Sequence, residues 1–599
     1  MKHLLQLFNE LSLHPKNAKA LKGLILQLAI QGKLTENWRK ENPDVESADF
    51  LLNKIYKTKK ELVEKKLIKN SKKLPLPKND ELYFDIPKTW AWERIGNIGE
   101  IFNGNSVNKN LKASKYEGLD EGYPYIATKD VGYIFEKIHE DNGVKIPFDE
   151  SKFKIAKKKT VLICAEGGSA GKKMGITTQD CCFGNKLYAL EQYYGIDSIY
   201  VLCLYGSSSF SEAFRKNMNG IIGGISRSKF IELLIPIPPL QEQKAIVSIV
   251  EELFAEIEQL EQKTVDRIQF KKDYATSALQ NLAQANDVVK AWQDIQPHFK
   301  TFFNEKSNIK QLRETILQLA VQGKLTDNWR KERQLSGAEI EPASELLKRI
   351  KAEKQKLISE KKIKKEKPLS KISEDEKPFK LPYGWEWCRL VEVGLINPRN
   401  STNDLLEIGF VPMKMINKSY RAKPRYEKRL WKDVKKSFTH FKNQDVAIAK
   451  ITPCFENGKA CVFEGLPNDY GAGTTELHVF RKVTDDIYSN FIYSILKSSD
   501  FIKKGEDKMT GSAGQKRVPK NYFSNYIIGL PPLEEQKAIV NIVDALMAEC
   551  DALERNIEQR DTLLEDLMAS CLQEMENKKT IDQAEELRMV AESGEKYLK

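Results

Sequence analysis

The chain has 599 residues, which is too long for one hydrophobic core, so several domains are expected. With 41% hydrophobic and 30% charged residues and no run of about 18 apolar residues, it has the composition of a globular protein without a membrane span. The formal net charge of +12 is compatible with a polyanionic partner, but equally with an ordinary basic surface.

The cysteines and histidines predict neither a disulfide framework nor a metal centre. Nine cysteines are scattered along the chain without a CxxC pair, and the six histidines are isolated from one another. This pattern is typical of reduced thiols in a cytoplasmic protein, and the N-terminus lacks the apolar core of a signal peptide. We therefore expect a cytoplasmic location and no bound metal.

The first predicted region, residues 1–84, is helical. Its stretch ILQLAIQGKLT predicts a short helix, with Gly32 suited to the C-cap because glycine adopts a positive φ without strain. An amphipathic, lysine-rich stretch follows from Leu51 to Lys69. Its lysines could approach phosphates, but a run of charge on a helix is usually a solvated face.

Residues 85–237 are predicted to form a first α/β domain. The apolar runs at 123–131 and 160–166 predict strands, and polar loops that contain glycine follow them. The loop GGSAGKK is not a phosphate-binding loop, because Glu166 stands where that motif needs glycine. Loops with Arg, Lys, Asn and glycine suit contacts to base edges and phosphates. The candidate DNA-binding residues here are Lys129, Lys172, Lys173, Asn185, Lys186, Ser226 and Arg227.

Residues 238–379 are predicted as a helical spacer that begins at the motif PPLQEQ. Proline is tolerated in the first turn of a helix, so the two prolines mark its start. Apolar residues from Ile246 to Leu260 follow a heptad, after which the pattern fades. A heptad indicates a helix that packs along another helix in a coiled coil; the alternative is a helix packed on an ordinary domain core.

The chain then repeats itself. Residues 25–41 return at 316–332 with only two changes, and Gly323 takes the place of Gly32. The tryptophan motif at 86–95 returns at 381–390, and PPLQEQ returns as PPLEEQ at 531–536. The segments 93–237 and 388–530, which lie between these motifs, share little beyond their length. One duplicated frame therefore carries two different inserts.

Residues 380–530 are predicted as the second α/β domain, with strands at 445–450 and 476–480, and 531–599 as a second helical spacer and tail. Its heptad from Ile539 to Cys571, broken at Arg560, would span roughly 50 Å. The fold class is α/β: two inserts joined by long antiparallel coiled-coil helices in a pseudo-two-fold repeat, with the N-terminal segment packed beside the last helix. The candidate DNA-binding residues in the second insert are Lys450, Lys459, Thr474, Thr475, Gln515, Lys516 and Arg517.

The chain is predicted to be non-catalytic. It contains no adenine-methyltransferase motif, no glycine-rich S-adenosylmethionine loop and no nuclease acid cluster. Two alternatives stay open at this point. One is a scaffold whose coiled coil joins two protein-binding domains without touching DNA, and the other is a fused methyltransferase–nuclease.

The duplicated PPLxEQ helices, the GKLT segment and two unlike inserts resemble the specificity (S) subunit of Type I restriction–modification systems. That resemblance implies that each insert is a target recognition domain for one half of a split, asymmetric site in double-stranded DNA. It implies as partners two methyltransferase subunits, which bring S-adenosylmethionine, and restriction subunits, which bring ATP and Mg, while this chain binds no cofactor. The residues that match the subunit-docking frame are Pro238, Pro239, Leu240, Glu242, Gln243, Pro531, Pro532, Leu533, Glu535 and Gln536.

The dimensions fit this interpretation. A spacer of roughly 50 Å corresponds to one to one and a half turns of DNA, each about 34–36 Å. Two unlike inserts predict a non-palindromic site, whereas two copies of one insert would predict a palindrome.

Overall fold

A computed structural model of the chain describes residues 15–70, 74–220, 223–365, 368–512 and 514–577. The chain forms two compact units. The first comprises Met1–Asp266 and Leu563–Lys599, and the second comprises Arg267–Thr562. The end of each long spacer helix is therefore grouped with the other copy of the repeat. None of the helices in the described ranges combines the length and apolarity needed to cross a membrane.

The helices of the duplicated frame occur in both copies at equivalent places. Gly32 and Gly323 adopt φ of +72° and +70° just after the helices Pro15–Ile30 and Lys306–Val321, which confirms the predicted C-caps. The lysine-rich helix of the first copy ends at Glu64, before the predicted end at Lys69, and Lys66 then enters the left-handed region. The equivalent helix of the second copy ends at Ser359, before Lys361 enters the same region. The frame helices are Pro15–Ile30, Glu36–Glu41 and Ala48–Glu64, and Lys306–Val321, Asp327–Leu335 and Ala343–Ser359.

The two spacer helices have the same length of 45 residues, Leu240–Gln284 and Leu533–Asn577. Both begin directly after their proline pair, as predicted. The first helix keeps a buried seam beyond Leu260, since Ala275, Leu279 and Leu282 are buried. The apparent fading of its heptad reflects the polar stretch before Ala275 rather than the end of the helix. Cys571 in the second heptad has its side chain outside the described residues.

The first insert is a mixed α/β domain. Its strands are β1 Ala91–Arg94, β2 Gly99–Asn103, β3 Tyr123–Ile126, β4 Lys145–Ile146, β5 Ile155–Ala156, β6 Val161–Cys164, β7 Met174–Ile176, β8 Cys181–Phe183, β9 Leu187–Gln192, β10 Met218–Asn219, β11 Gly224–Ile225 and β12 Leu234–Ile237. Two four-stranded sheets lie in the orders β2-β9-β6-β7 and β4-β3-β8-β5. Only β3 and β8 pair in parallel among the strands described for this insert. Its helices are Ile95–Ile98, Lys109–Leu111, Ser198–Gly206, Ser208–Lys216 and Arg227–Phe230.

The strands of the second insert are β13 Glu386–Arg389, β14 Gly394–Ile396, β15 Glu407–Val411, β16 Glu427–Leu430, β17 Thr439–Lys442, β18 Val446–Ala449, β19 Ala460–Val462, β20 Tyr470–Gly473, β21 Leu477–Lys482 and β22 Ile527–Leu530. The sheets of this insert have the same topology as those of the first, with the orders β14-β21-β18-β19 and β16-β15-β20-β17 and a parallel β15–β20 pair. Its helices are Leu390–Val393, Trp431–Val434, Ser489–Leu496, Ser499–Asp507 and Lys520–Asn525. The connection after the first spacer helix contains the helices Val288–Ile295 and Phe299–Phe302.

Each insert enters and leaves the frame through one antiparallel pair of strands. In the first insert Arg94 of β1 lies opposite Leu234 of β12. In the second, Arg389 of β13 lies opposite Ile527 of β22. The four strand segments predicted from sequence are confirmed in position, although each strand is shorter or slightly shifted. Two sequences with little similarity thus form one topology.

Candidate nucleic-acid interface

The repeated motifs of the frame meet at one buried carboxylate in each copy. In the first copy Glu242 is fully buried and accepts hydrogen bonds from Thr35 Oγ1 (2.7 Å), Arg39 Nη1 and Trp90 Nε1 (2.8 Å). Arg39 also donates through Nη2 to the carbonyl oxygen of Gly32 (2.7 Å), where the preceding helix ends. The GKLT segment, the tryptophan motif and the PPLxEQ motif therefore recur together because each supplies one part of a single network.

The second copy contains the same network around Glu535. Its carboxylate accepts from Thr326 Oγ1 (2.7 Å), Arg330 Nη1 and Trp385 Nε1 (2.9 Å). Arg330 Nη2 donates to the carbonyl oxygen of Gly323 (2.8 Å). Each GKLT segment thus contacts the spacer helix that follows its own insert.

The glutamine next to this glutamate ties the spacer helix to the insert. The amide oxygen of Gln243 accepts from the backbone N–H of Asp197 (2.9 Å), and that of Gln536 accepts from Tyr488 (2.8 Å). The docking role predicted for the PPLxEQ residues stays a prediction. The buried glutamate and glutamine side chains are occupied by bonds inside the chain, so they can serve docking only by holding the surface in shape.

In the first insert the backbone brings the candidate loops together. The N–H of Ala165 donates to the carbonyl oxygen of Lys186 (2.9 Å), while its own carbonyl accepts from Ile225 (3.0 Å). The N–H of Gly184 donates to the carbonyl of Ile126 (2.9 Å), and that of Cys164 donates to the carbonyl of Lys173 (2.9 Å). We call the surface formed by residues 127–132, 165–173, 184–186 and 223–227 the first loop surface.

The second insert reproduces this hydrogen-bond scheme. Lys450 takes the place of Ala165: its N–H donates to Glu476 (2.9 Å) and its carbonyl accepts from Val518 (2.8 Å). Thr474 donates to Val411 (3.3 Å) in the place of the Gly184 bond. We call the surface formed by residues 412–416, 450–459, 474–476 and 514–518 the second loop surface. Both sets of predicted residues therefore converge, each in its own insert.

The side chains of the first loop surface differ in their availability. Within the described ranges, Lys129, Asn185 and Lys186 are exposed and make no side-chain hydrogen bond or ion pair. Lys172 Nζ donates to the carbonyl of Gly168 (3.2 Å) at the surface, and Lys173 Nζ lies 5.7 Å from the centre of the Tyr133 ring.

Two predicted residues of this surface form hydrogen bonds inside the insert through their side chains. Ser226 caps the helix Arg227–Phe230 by accepting from the N–H of Lys229. Arg227 Nε donates to the carbonyl of Ile101 (2.6 Å). Because Ser226 Oγ and Arg227 Nε already have partners inside the insert, these two residues are less available for base reading than Lys129, Asn185 and Lys186.

The second loop surface is also divided. Thr475, Gln515 and Lys516 are exposed, and their side chains have no hydrogen-bond partner among the described residues. Arg517 forms a two-pronged ion pair with Glu476 (2.9 Å from Nη2 to Oε1), so its guanidinium is positioned rather than free. Thr474 Oγ1 accepts from the N–H of Glu476 (3.2 Å), and Lys459 Nζ lies 3.5 Å from the carbonyl of Met413.

Sequence reasoning missed residues that only the fold aligns. Lys414 is exposed in the turn after β15, at the place of Lys129 in the turn after β3. Glu476 takes the place of Lys186, so a carboxylate stands where the first insert has an ammonium group. A lysine three residues after a strand would have been the signal for Lys414, but β15 (Glu407–Val411) was not predicted from the sequence.

A groove of about 270 Å³ lies beside the second loop surface, lined by Arg399, His440, Lys450 and Thr475 among others. Arg399 Nη1 donates to the carbonyl of Phe438 (2.7 Å) at its rim. Burial, together with the nearby Arg399 charge, lowers the pKa of His440 to about 4, so its imidazole is neutral near pH 7. The groove extends the basic part of this surface towards β14 and β17. In the described residues no cluster of three potential metal ligands occurs.

Comparison with known proteins gives consistent matches. The family model for the Type I restriction modification DNA specificity domain matches residues 87–268 and 382–560. The specificity subunit of the Type I restriction enzyme EcoAI from Escherichia coli is 50% identical over 267 residues, and that of EcoEI from the same organism is 49% identical over 267 residues. Each match covers 44% of this chain and 44% of the relative, which is less than half of either protein.

The solved structure of the HsdS subunit from Thermoanaerobacter tengcongensis is 16% identical, with a TM-score of 0.38, and the match covers 83% of this chain and 98% of that chain. The two regions matched by the family model contain both inserts and the beginning of both spacer helices, and together they make up more than half of the sequence. The chain therefore belongs to the Type I restriction modification DNA specificity domain family.

Proposed function

We propose that this chain is the non-catalytic DNA-specificity subunit of a Type I restriction–modification enzyme, which reads a bipartite, asymmetric site in double-stranded DNA. One observation carries the proposal: the two inserts share a backbone hydrogen-bond scheme but present different side chains at matched positions. Ala165 is matched by Lys450, Lys186 by Glu476 and Gly223 by Lys516.

A fixed backbone with exchanged side chains is what two readers of different sequences require. Base edges in the major groove are distinguished by donors and acceptors, and lysine suits guanine whereas a carboxylate accepts from cytosine. The free ammonium group of Lys186 and the ion pair of Glu476 with Arg517 therefore present different hydrogen-bonding groups at matched places. Exposed lysines such as Lys129, Lys414 and Lys516 would add contacts to phosphates, which position the protein without reading sequence.

The partners and cofactors follow from the same proposal. Two methyltransferase subunits would dock on the two copies of the frame and bring S-adenosylmethionine, and restriction subunits would bring ATP and Mg. This chain would supply recognition and spacing in the cytoplasm and bind none of these cofactors itself. A scaffold that joins two proteins without contacting DNA is the alternative function.

The proposal can be tested by giving both copies of the frame the same insert. Residues 95–233 are replaced by residues 390–526 of the same chain. The new segment then connects the end of β1 to the start of β12, just as it connects β13 to β22 in its own copy. The chain, in complex with its methyltransferase subunit, selects duplexes from a random library. We expect the wild-type complex to select two unlike half-sites and the variant to select the second half-site twice.

The controls separate the two functions. Substitution of Asn53, which is exposed on the frame helix Ala48–Glu64, should leave both half-sites unchanged. Affinity for the selected duplex should fall steeply with salt, because phosphate contacts release counterions. Selection of no duplex at all by the wild-type complex would support the scaffold instead, and an unchanged first half-site in the variant would refute the assignment of one half-site to each insert.

A further inference from the structure

Arg517 belongs to the second loop surface, and Glu476 holds its side chain in place. Arg517 Nε donates to Glu476 Oε2 (3.0 Å) and Nη2 donates to Oε1 (2.9 Å), while Nη1 donates to the carbonyl oxygen of Gln515 (3.1 Å). The side chain of Arg517 is nevertheless 43% exposed. The guanidinium group is therefore fixed in orientation and still accessible from solvent.

Part of this guanidinium group remains unused. An arginine side chain has five N–H donors, and the bonds to Glu476 and Gln515 occupy one each on Nε, Nη2 and Nη1. One N–H on Nη1 and one on Nη2 have no acceptor among the described residues. Because the group is planar, two donors on neighbouring nitrogens form a fork that suits a ligand with two adjacent acceptors.

The fold of the insert does not require this ion pair. The first insert forms the same isolated bridge between its loops with Gly224 in the place of Arg517. It also forms the same backbone bond with Lys186 in the place of Glu476. The first insert thus keeps the backbone of this region with neither member of the pair. Since an exposed ion pair also adds little to stability, the pair needs another explanation.

A phosphate group is a poor ligand for this guanidinium group. The Glu476 carboxylate lies 2.9 Å from Nη2, so it compensates the positive charge and repels a second anion. The edge of a base has no net charge and is bound through the direction of its hydrogen bonds, which the pair preserves. Phosphate contacts here are better suited to Lys516, which is exposed and forms no ion pair with the described residues.

Guanine is the base that fits the two free donors. Its major-groove edge presents two adjacent acceptors, N7 and O6, whereas adenine presents one acceptor beside a donor, thymine one acceptor beside a methyl group, and cytosine a donor. We propose that Arg517 donates to N7 and O6 of one guanine in the second half-site, and that Glu476 is its positioning residue. This inference rests on the proposed function and adds to it one base of the site and the residue that reads it.

The experiment uses the complex of the full chain with its methyltransferase subunit and the duplex that this complex selects. Each guanine in either strand of the half-site assigned to the second insert is replaced in turn by 7-deazaguanine, which keeps Watson–Crick pairing but lacks the N7 acceptor. We expect one position at which this change weakens binding by roughly 5-fold or more. An A·T pair at that position should weaken binding roughly 5- to 100-fold, the range for loss of a bidentate contact.

Variants of the pair connect this position to Arg517. Arg517→Met keeps much of the aliphatic chain, and Arg517→Gly introduces the residue that the first insert has at the matched place. Both should bind the guanine and 7-deazaguanine duplexes equally and keep the first half-site unchanged. Glu476→Gln should reduce the sensitivity to 7-deazaguanine without abolishing it, because the amide retains one acceptor for the guanidinium group. A substitution that merely loosened the loop would weaken both duplexes alike.

The matched control is Lys516→Ala, since Lys516 is the exposed neighbour of Arg517. This variant should weaken binding to all duplexes by one factor and leave the sensitivity to 7-deazaguanine intact. The measurement with modified duplexes on the wild-type complex does not depend on the folding of any variant, so it decides the question even if the Arg517 variants are unstable.

The outcomes separate the guanine contact from the proposed function. A second half-site without guanine in either strand, or wild-type binding that is insensitive to 7-deazaguanine at every position, would overturn the guanine contact and leave the reading of two half-sites standing. Equal weakening of all duplexes by Arg517→Met, with a smaller salt slope, would assign Arg517 to a phosphate and also overturn the contact. A wild-type complex that selects no duplex would overturn the proposed function as well.

Discussion

The contribution of the buried network around Glu242 to stability can be measured with a single substitution. The Glu242 side chain is fully buried, and Arg39, whose side chain is 19% exposed, supplies its only cationic partner within the described residues. Arg39→Met keeps much of the aliphatic volume but leaves the carboxylate with two neutral donors, Thr35 and Trp90. Removing one member of a buried ion pair typically costs about 3–5 kcal/mol, and we expect the frame helices of the first unit to lose that much stability.

The expected interaction can be isolated with a double-mutant cycle. Glu242→Gln on its own removes the charge but leaves Arg39 unpaired, so it should also destabilise the first unit. The combination of Arg39→Met and Glu242→Gln contains no uncompensated charge, and it should be less destabilised than the sum of the single variants by roughly 1–3 kcal/mol. Lys40→Met is the matched control, because Lys40 is 69% exposed and its ion pair is on the surface; its effect should stay within about 0.5 kcal/mol.

Hydrogen exchange during urea unfolding, read by mass spectrometry, gives the stability of each copy separately because peptides from the two copies differ in mass. Peptides from residues 25–41 should lose protection at lower urea in Arg39→Met, whereas peptides from 316–332 should not. Arg330→Met should give the reverse result. Strictly additive single variants, or a loss in Arg39→Met no larger than in Lys40→Met, would refute the reasoning.

Three further predictions concern pH, thiol chemistry and DNA. Burial lowers the pKa of His478 to about 4, whereas an unfolded histidine titrates near 6.5. The unfolded chain therefore binds more protons between these values, and the unfolding free energy of the second unit should decrease as the pH is lowered through this window, by up to about 1.4 kcal/mol per pH unit for this group. His478→Asn should reduce that slope in urea titrations and leave the contribution of His440, whose pKa is also lowered to about 4; an unchanged slope would disprove the assignment. Burial raises the pKa of Cys164 to about 12, so iodoacetamide at pH 8 should modify the partly exposed Cys454 before Cys164; equal rates for these two thiols in peptide mass spectra would contradict this. Lys129→Ala and Lys414→Ala should each weaken duplex binding for all sequences and reduce the salt slope by about one, and a change in the preferred bases instead would show that these lysines read sequence.

The helices of the frame could be predicted because particular side chains, which the sequence shows directly, determine where they begin and end. The repeat, both glycine caps and the starts of the spacer helices follow from residue types with strong local preferences. The network at Glu242 could not be inferred, since Thr35, Trp90 and Glu242 lie far apart in sequence and only their joint recurrence connects them. The PPLxEQ residues were assigned to docking from the family resemblance, and the sequence did not reveal that the side chains of Glu242, Gln243 and their counterparts are buried.

The common fold of the two inserts could not be predicted from the sequence, because the hydrogen bonds that the inserts share join backbone atoms. Bonds such as Ala165 to Lys186 and Lys450 to Glu476 join main-chain atoms, so any side chain can occupy those positions. Sequence comparison therefore showed two unlike segments where the structure has one topology twice. For the same reason Arg517 was predicted from its residue type alone, and its ion pair with Glu476 came to light only through the loop geometry.

The strand pairs that close each insert, β1 with β12 and β13 with β22, have a consequence for how such chains can change over generations. Because the two ends of an insert lie side by side, a crossover between two related genes at these strands replaces a whole insert and leaves the frame intact. The nearly identical stretches at 25–41 and 316–332 show that the flanking sequence can stay constant while the intervening domain varies. A new binding preference can thus be acquired in one genetic event, without the series of destabilising intermediates that gradual change of a packed domain would require.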